Sequence, residues 1–264
     1  MIRSILLPLG CLLMLAACTT ETPAPEVETS EPPEATEAVS GPSFLALHLY
    51  NPASDDAHKQ FLMDLDELNR AVASSGHPET QYRVWKVNGE QTGDYGYLFG
   101  SVWTDRATYD AVHEHDDYEA VMARFEQAGL EPFEEEVYNQ YVELNPPATE
   151  RAPRPEGGST LLALHLFNLP SAEAEEQLLG MLDDFNGAIS KAGHPETRYG
   201  VWKVTGEQTG DYAYLFASVW ADQATYDTVH EHAEYKAVME RHAETFESLL
   251  PEEVYNRYEQ MMLN

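Results

Sequence analysis

Residues 95–122 read YGYLFGSVWTDRATYDAVHEHDDYEAVM, and the pattern returns at 212–239 as YAYLFASVWADQATYDTVHEHAEYKAVM. The opening nine residues alternate: Tyr95, Tyr97, Phe99, Ser101 and Trp103 share one face of an extended segment, and Gly96, Leu98, Gly100 and Val102 share the other. Neither face is polar, which predicts a strand buried on both sides. Helices can cover only one face, so the other most simply meets the equivalent sheet of the second copy. Asp105 suits the N-cap of the helix that follows. On that helix Tyr109, Val112 and His113 form an i, i+3, i+4 stripe, so His113 is expected to face the sheet. His115 is expected to cap the following turn beside Asp116 and Asp117. The two histidines point about 200° apart on a continuous helix and cannot ligate one metal together. Zinc pairs on helices use i, i+4 spacing, which HEH lacks.

Working outward, the chain is a tandem duplication with an offset of 117. LALHLYN (45–51) pairs with LALHLFN (162–168), GHPETQYRVWKVNGEQTGDYGYLFGSVW (76–103) with GHPETRYGVWKVTGEQTGDYAYLFASVW (193–220), and EEVYNQY (135–141) with EEVYNRY (252–258). The boundaries follow: repeat 1 over 43–144, a Pro/Gly linker over 145–160, repeat 2 over 161–264. Each repeat has the usual size of a single core. Within a repeat the order reads β-α-β-β-α-β. Residues 44–50 form a strand. Residues 54–76 form a helix with Phe61, Leu62, Leu65, Leu68 and Val72 on one stripe and Gly76 suited to its end. QYRVWKV and YGYLFGSVW form a hairpin across NGEQTGD, and EEVYNQYVEL is the last strand.

These residues resemble the dimeric α+β barrel superfamily. The likeness lies in a third strand ending in Trp, a short Asp-led helix, a His, then a break and an aromatic, matched in both repeats over nearly the whole domain. The chain is similar in particular to the antibiotic-biosynthesis-monooxygenase group and to the stress-responsive barrel proteins. The resemblance implies an α+β fold in which two tandem ferredoxin-like repeats fuse into one pseudo-twofold barrel, with repeat pairing inside one chain in place of a homodimer. The superfamily spans cofactor-independent oxygenases, isomerases, haem enzymes and proteins without known chemistry. Its haem-degrading branch places an axial His where this chain has Met122 and Met239.

Candidate site residues come in pairs. His48 and His165 lie within apolar strands, so something must hydrogen-bond each ring. A core imidazole bonded to a neighbouring Tyr would satisfy that, and so would a pocket residue that moves a proton. His113 and His230 are the second pair of candidate proton carriers. Trp103 and Trp220, Tyr97 and Tyr214, and the amides of Asn51 and Asn168 would line a pocket for an aromatic or planar molecule in each repeat. The rings suit core packing equally, and the asparagines suit a turn. His77 at the end of the first helix suits the helix dipole. No metal ligand set is assigned and no cofactor is expected, with haem or a divalent metal as the minor alternative.

The start of the chain bears on location. Arg3, the short apolar run ILLPLGCLLMLAA and the ending LAAC read as a secretion signal over 1–17. The ending resembles the lipobox of bacterial lipoproteins, which implies that Cys18 is acylated and anchors the chain. Thr19, in place of Asp, implies the outer membrane, facing periplasm or exterior. Residues 18–42, rich in Pro, Glu and Thr, read as a disordered tether. With Cys11 in the signal and Cys18 acylated, no thiol is left for a disulfide or a nucleophile. The balance of 15 Lys+Arg against 46 Asp+Glu excludes nucleic acid as a partner. Three readings follow: an oxygenase or isomerase for a planar compound, a non-catalytic scaffold, and a periplasmic metal or haem binder.

Overall fold

Each repeat builds a four-stranded sheet that leaves two edges open, and the edges of one repeat are filled by the other. The first repeat supplies β1 (Phe44–Pro52), α1 (Asp55–Ser74), β2 (Arg83–Val87), β3 (Tyr97–Trp103), α2 (Arg106–His113), α3 (Asp116–Ala128) and β4 (Phe133–Glu143). The second supplies β5 (Leu161–Phe167), α4 (Ala172–Lys191), β6 (Gly200–Val204), β7 (Tyr214–Trp220), α5 (Gln223–Glu231), α6 (Ala233–Leu249) and β8 (Val254–Gln260). This is a computed structural model that describes residues 42–129, 131–147 and 160–263, which belong to one compact unit. The signal segment, Cys18, the tether up to residue 41 and linker residues 148–159 lie outside the described residues.

β1 pairs antiparallel with β3 and β4, and β2 with β3, giving the order β4-β1-β3-β2; the second repeat gives β8-β5-β7-β6. β2 then pairs with β8 and β4 with β6, so eight strands close one barrel. Closure removes the unpaired N–H and C=O groups that open edges would expose. The expected α+β barrel of two fused ferredoxin-like repeats is the observed fold.

Side-chain alternation divides the apolar residues into three clusters. Tyr97, Phe99 and Trp103 pack beneath the helices of the first repeat with Phe61, Leu65 and Val72. The second repeat has its own counterpart. Leu98 faces inward, where Leu47, Trp85 and Tyr141 meet Leu164, Leu215 and Tyr258 in the barrel lumen. Trp103 and Trp220 are each 1% exposed, and each indole N–H donates to a serine two residues back, Ser101 or Ser218. Covering a ring of that size removes roughly 200 Å² from water, worth about 5 kcal/mol.

Two side chains depart from the expected faces of the third strand. Tyr95 packs with the lumen cluster rather than beside Tyr97, because the strand begins only at Tyr97 and the chain turns across the barrel end at Gly93, φ +75°. Val102 shares the inward parity of Leu98 but is 44% exposed, since it stands at an open end of the lumen.

The helix signals are met closely. Ser54 caps α1 by accepting from the Ala57 N–H, and Gly76, at φ +99°, lets the His77 N–H turn back to the Val72 carbonyl. Asp105 caps α2 by accepting from the Thr108 N–H at 2.7 Å. The helix breaks after His113. His115 then caps α3, its Nδ1 accepting from the Asp117 N–H at 3.3 Å, as His232 does from Glu234.

The 88–96 loop joins the repeats. Asn256 of β8 accepts from the Thr92 N–H at 2.8 Å and donates to the Thr92 carbonyl at 2.7 Å. Asn139 of β4 holds Thr209 of the other loop in the same way, at 2.7 and 2.6 Å. Each repeat therefore clamps the hairpin loop of the other. Gly93 sits so close to Val254 that a Cβ there would lie 2.9 Å from its Cγ1, and Gly210 meets Val137 identically. Both glycines have positive φ, so close approach and backbone conformation both require them.

Candidate functional site

The alternation that sends Leu47 and Leu49 into the lumen sends His48 to the opposite face, under the helices. There it lies between its two cross-strand neighbours, Phe99 on β3 and Tyr138 on β4. The rings stack at 3.9 Å and 11° on Phe99 and at 4.3 Å and 24° on Tyr138. Nδ1 of His48 meets Oε1 of Glu136 at 2.5 Å, and Nε2 has no hydrogen-bond partner among the described residues. The side chain is 20% exposed. His165 repeats the arrangement with Glu253 at 2.8 Å, Phe216 at 3.9 Å and Tyr255 at 4.3 Å. Burial pulls both imidazole pKa values below the ordinary value. The hydrogen bond and charge of the glutamate oppose that shift, and burial prevails. The partner is thus a carboxylate, not a tyrosine hydroxyl.

His113 is placed differently, because both of its nitrogens are occupied. Nδ1 lies 2.7 Å from the Tyr109 carbonyl, which can only accept, so Nδ1 carries the proton. Nε2 of the neutral ring then accepts from the Tyr82 hydroxyl at 3.0 Å, and Tyr82 accepts from Tyr118 at 3.3 Å. Burial lowers the His113 pKa, while the Tyr109 carbonyl and the Asp110 charge oppose it; burial also pushes Tyr118 up to about 12. His230 repeats the chain with Tyr226, Tyr199 and Tyr235. Tyr109 lies tilted by 30° against His113 at 3.7 Å and shares a 2.8 Å hydrogen bond with Tyr138, the ring that covers His48. The two histidines of a repeat are therefore joined through a pair of tyrosines rather than by contact.

The remaining candidates lie around this run. Trp103 is closed over by Tyr82, Tyr109 and His113. Tyr97 stacks on Tyr50 and meets His58 edge-on, whereas Tyr214 donates to Glu175 at 2.9 Å. Asn51 is tied up by the hairpin loop: its amide donates to the Asp94 carbonyl at 2.8 Å and accepts from the Gly96 N–H at 2.9 Å. Asn168 holds Asp211 and Ala213 alike. Sequence reasoning missed Glu136, Glu253 and the hydroxyl pairs Tyr82–Tyr118 and Tyr109–Tyr138. The Glu signal was present in EEEVYNQY, since Glu136 and Tyr138 share a face, but using it requires knowing that β4 lies beside β1.

Two cavities open at the ends of the lumen. One of about 90 Å³ is bounded by the clamped loops, with Tyr95, Tyr212, Tyr141 and Tyr258 in its wall. The other, about 300 Å³, is lined by residues such as Leu47, Trp85, Leu98 and their repeat-2 equivalents. Met122 and Met239, where the haem-degrading branch has its axial His, are 38% and 43% exposed on the outer helices. Among the described residues no three His, Cys, Asp or Glu side chains gather as a metal site.

No protein-family model matches the chain, and no curated protein matches it. Solved structures do. A candidate monooxygenase from Lactobacillus acidophilus NCFM is similar with a TM-score of 0.53 at 11% identity, over 83% of this chain and 94% of that one. A candidate monooxygenase from Fusobacterium nucleatum subsp. nucleatum ATCC 25586 also scores 0.53, at 9% identity over 85% and 94%. At such identities the likeness is one of fold alone: the chain shares with these proteins the α+β barrel of ferredoxin-like repeats.

Proposed function

We propose that each repeat presents a histidine–glutamate general base to a planar, largely apolar small molecule, for cofactor-independent oxygenation or isomerisation. The observation that carries this reading is the state of His48 and His165. A carboxylate holds Nδ1 and fixes the tautomer, two aromatic rings fix the plane, and Nε2 is left with a free lone pair. The depressed pKa keeps the ring neutral at pH 7, the form that accepts a proton. His113, with both nitrogens engaged, supports the aromatic run and orients Tyr109 and Tyr138.

In this scheme Nε2 removes a proton from an activated C–H of the substrate. The delocalised anion is reprotonated at another carbon in isomerisation. In oxygenation a methylene and O2 give a carbonyl and water, with dioxygen as the oxidant. The protein works from the outer membrane, held by acylated Cys18, a proposal supported by the LAAC ending followed by Thr19.

The test is solvent-deuterium exchange and oxygen uptake with reduced polycyclic phenols, comparing the native chain with the H48Q/H165Q double variant. General-base loss should lower both rates by at least about a hundredfold. Unchanged rates in a folded double variant would sink the proposal and favour a scaffold. Anchoring is checked separately: Cys18→Ser should move the protein out of the membrane fraction.

A further inference from the structure

The wide end of the lumen is built from residues that pair across the pseudo-twofold axis, and its polar residues break that symmetry. Between 76–103 and 193–220 only five positions differ, and three of them, 81/198, 83/200 and 100/217, line this cavity. Arg83 on β2 becomes Gly200, and Gln81 becomes Arg198. The two arginines are in different states. Arg198 is bound to buried Glu143 at 3.0 Å and to the Asn145 carbonyl. The half-buried Arg83 guanidinium has no ion pair, hydrogen bond or ring contact among the described residues. That is unusual in a chain with 46 acidic and 15 basic residues. Glu79 and Glu196 line the same mouth, but each meets its own histidine, His77 at 3.4 Å and His194 at 3.1 Å.

A second, independent observation lies two residues along the strand. Trp85 shares the inward face with Arg83, is 8% exposed, and has a buried indole N–H with no acceptor among the described residues. A buried N–H without a partner costs about 1–3 kcal/mol. Around both groups the wall is apolar, with Leu45, Leu47 and Leu98 from one repeat facing Leu162, Leu164 and Leu215 from the other.

We propose that this end of the lumen binds an amphipathic monocarboxylate, its apolar body between the leucine walls and its carboxylate on Arg83. The site is distinct from the histidine pairs, which lie on the other face of the sheet, and the divergence of Arg83 from Gly200 makes it a single site on the axis of a doubled fold. Arginine is suited to this because its planar fork donates to both carboxylate oxygens at once.

The test uses octanoate and octanol titrated into the purified full chain, read by calorimetry and tryptophan fluorescence. Octanoate should bind with one site per chain. Arg83→Gln should weaken octanoate by about tenfold or more and leave octanol unchanged. Val102→Trp, at an exposed position on the cavity wall, should abolish binding of both, while His48→Gln should leave both unaltered. Absence of saturable octanoate binding, equal affinity in Arg83→Gln, or full binding in Val102→Trp would each overturn the proposal.

Discussion

Single residues here act through where their hydrogen-bonding atoms end up. His48, His58, His113, His165 and His230 all have pKa values held below the ordinary one, with burial the largest cause. The folded protein keeps these rings neutral where the unfolded chain, near pH 6.5, begins to protonate them. Unfolding therefore takes up protons below that pH, and the histidine contribution to stability is complete above about 6.5 and lost as pH falls. Melting temperature recorded from pH 8 to pH 5 should be flat at first and then drop, with a shallower drop in His113→Phe. A Tm that rises on acidification would contradict this account. Tyr82→Phe strips the donor from His113 Nε2 and the acceptor from Tyr118, and should cost about 1–3 kcal/mol in urea unfolding. The histidines themselves were legible as buried groups needing partners. Their partners were not, because Glu136 reaches His48 across 88 positions and no local pattern carries that pairing.

Elements were the most readable level. Alternation over Tyr97–Trp103, the Asp105 cap and the positive-φ glycine after α1 each depend on neighbours in sequence and are where the sequence places them, with Val102 alone left exposed at the lumen end. The hairpin loop was read only as a turn, although it is a joint. Its identity in both copies, GEQTGDY, is more than a turn needs, and reflects contacts to Asn256 and Asn139 in the opposite repeat. Asn256→Ala leaves the Thr92 amide and carbonyl without partners and should destabilise by about 2–4 kcal/mol. Gly93→Ala should be comparably costly, since a Cβ strains a positive φ and strikes Val254. Hydrogen exchange of residues 88–96 should speed up in both variants; an unchanged loop would show that the clamp does not hold it.

For the whole molecule, two repeats that look like separate domains are halves of one hydrogen-bonded sheet. Duplication was visible as a constant offset, and closure followed from strands apolar on both faces, whereas the lumen's open ends and their polar residues depend on the barrel's geometry and had no signature. Residues 43–147 produced alone would carry β2 and β4 as bare edges, and the same two edges on a second copy could replace β8 and β6. That half-chain should therefore elute as a dimer in size exclusion with light scattering; a stable folded monomer would contradict the edge argument. The reciprocal clamp also has a consequence in time. Thr92 waits for Asn256, 164 positions further on, so during folding the first repeat keeps its loop untied and its edges unpaired until β8 is in place. Closure therefore needs both ends of the chain together, and the excess of 46 acidic over 15 basic residues gives chains that have not yet closed a like charge by which they repel one another.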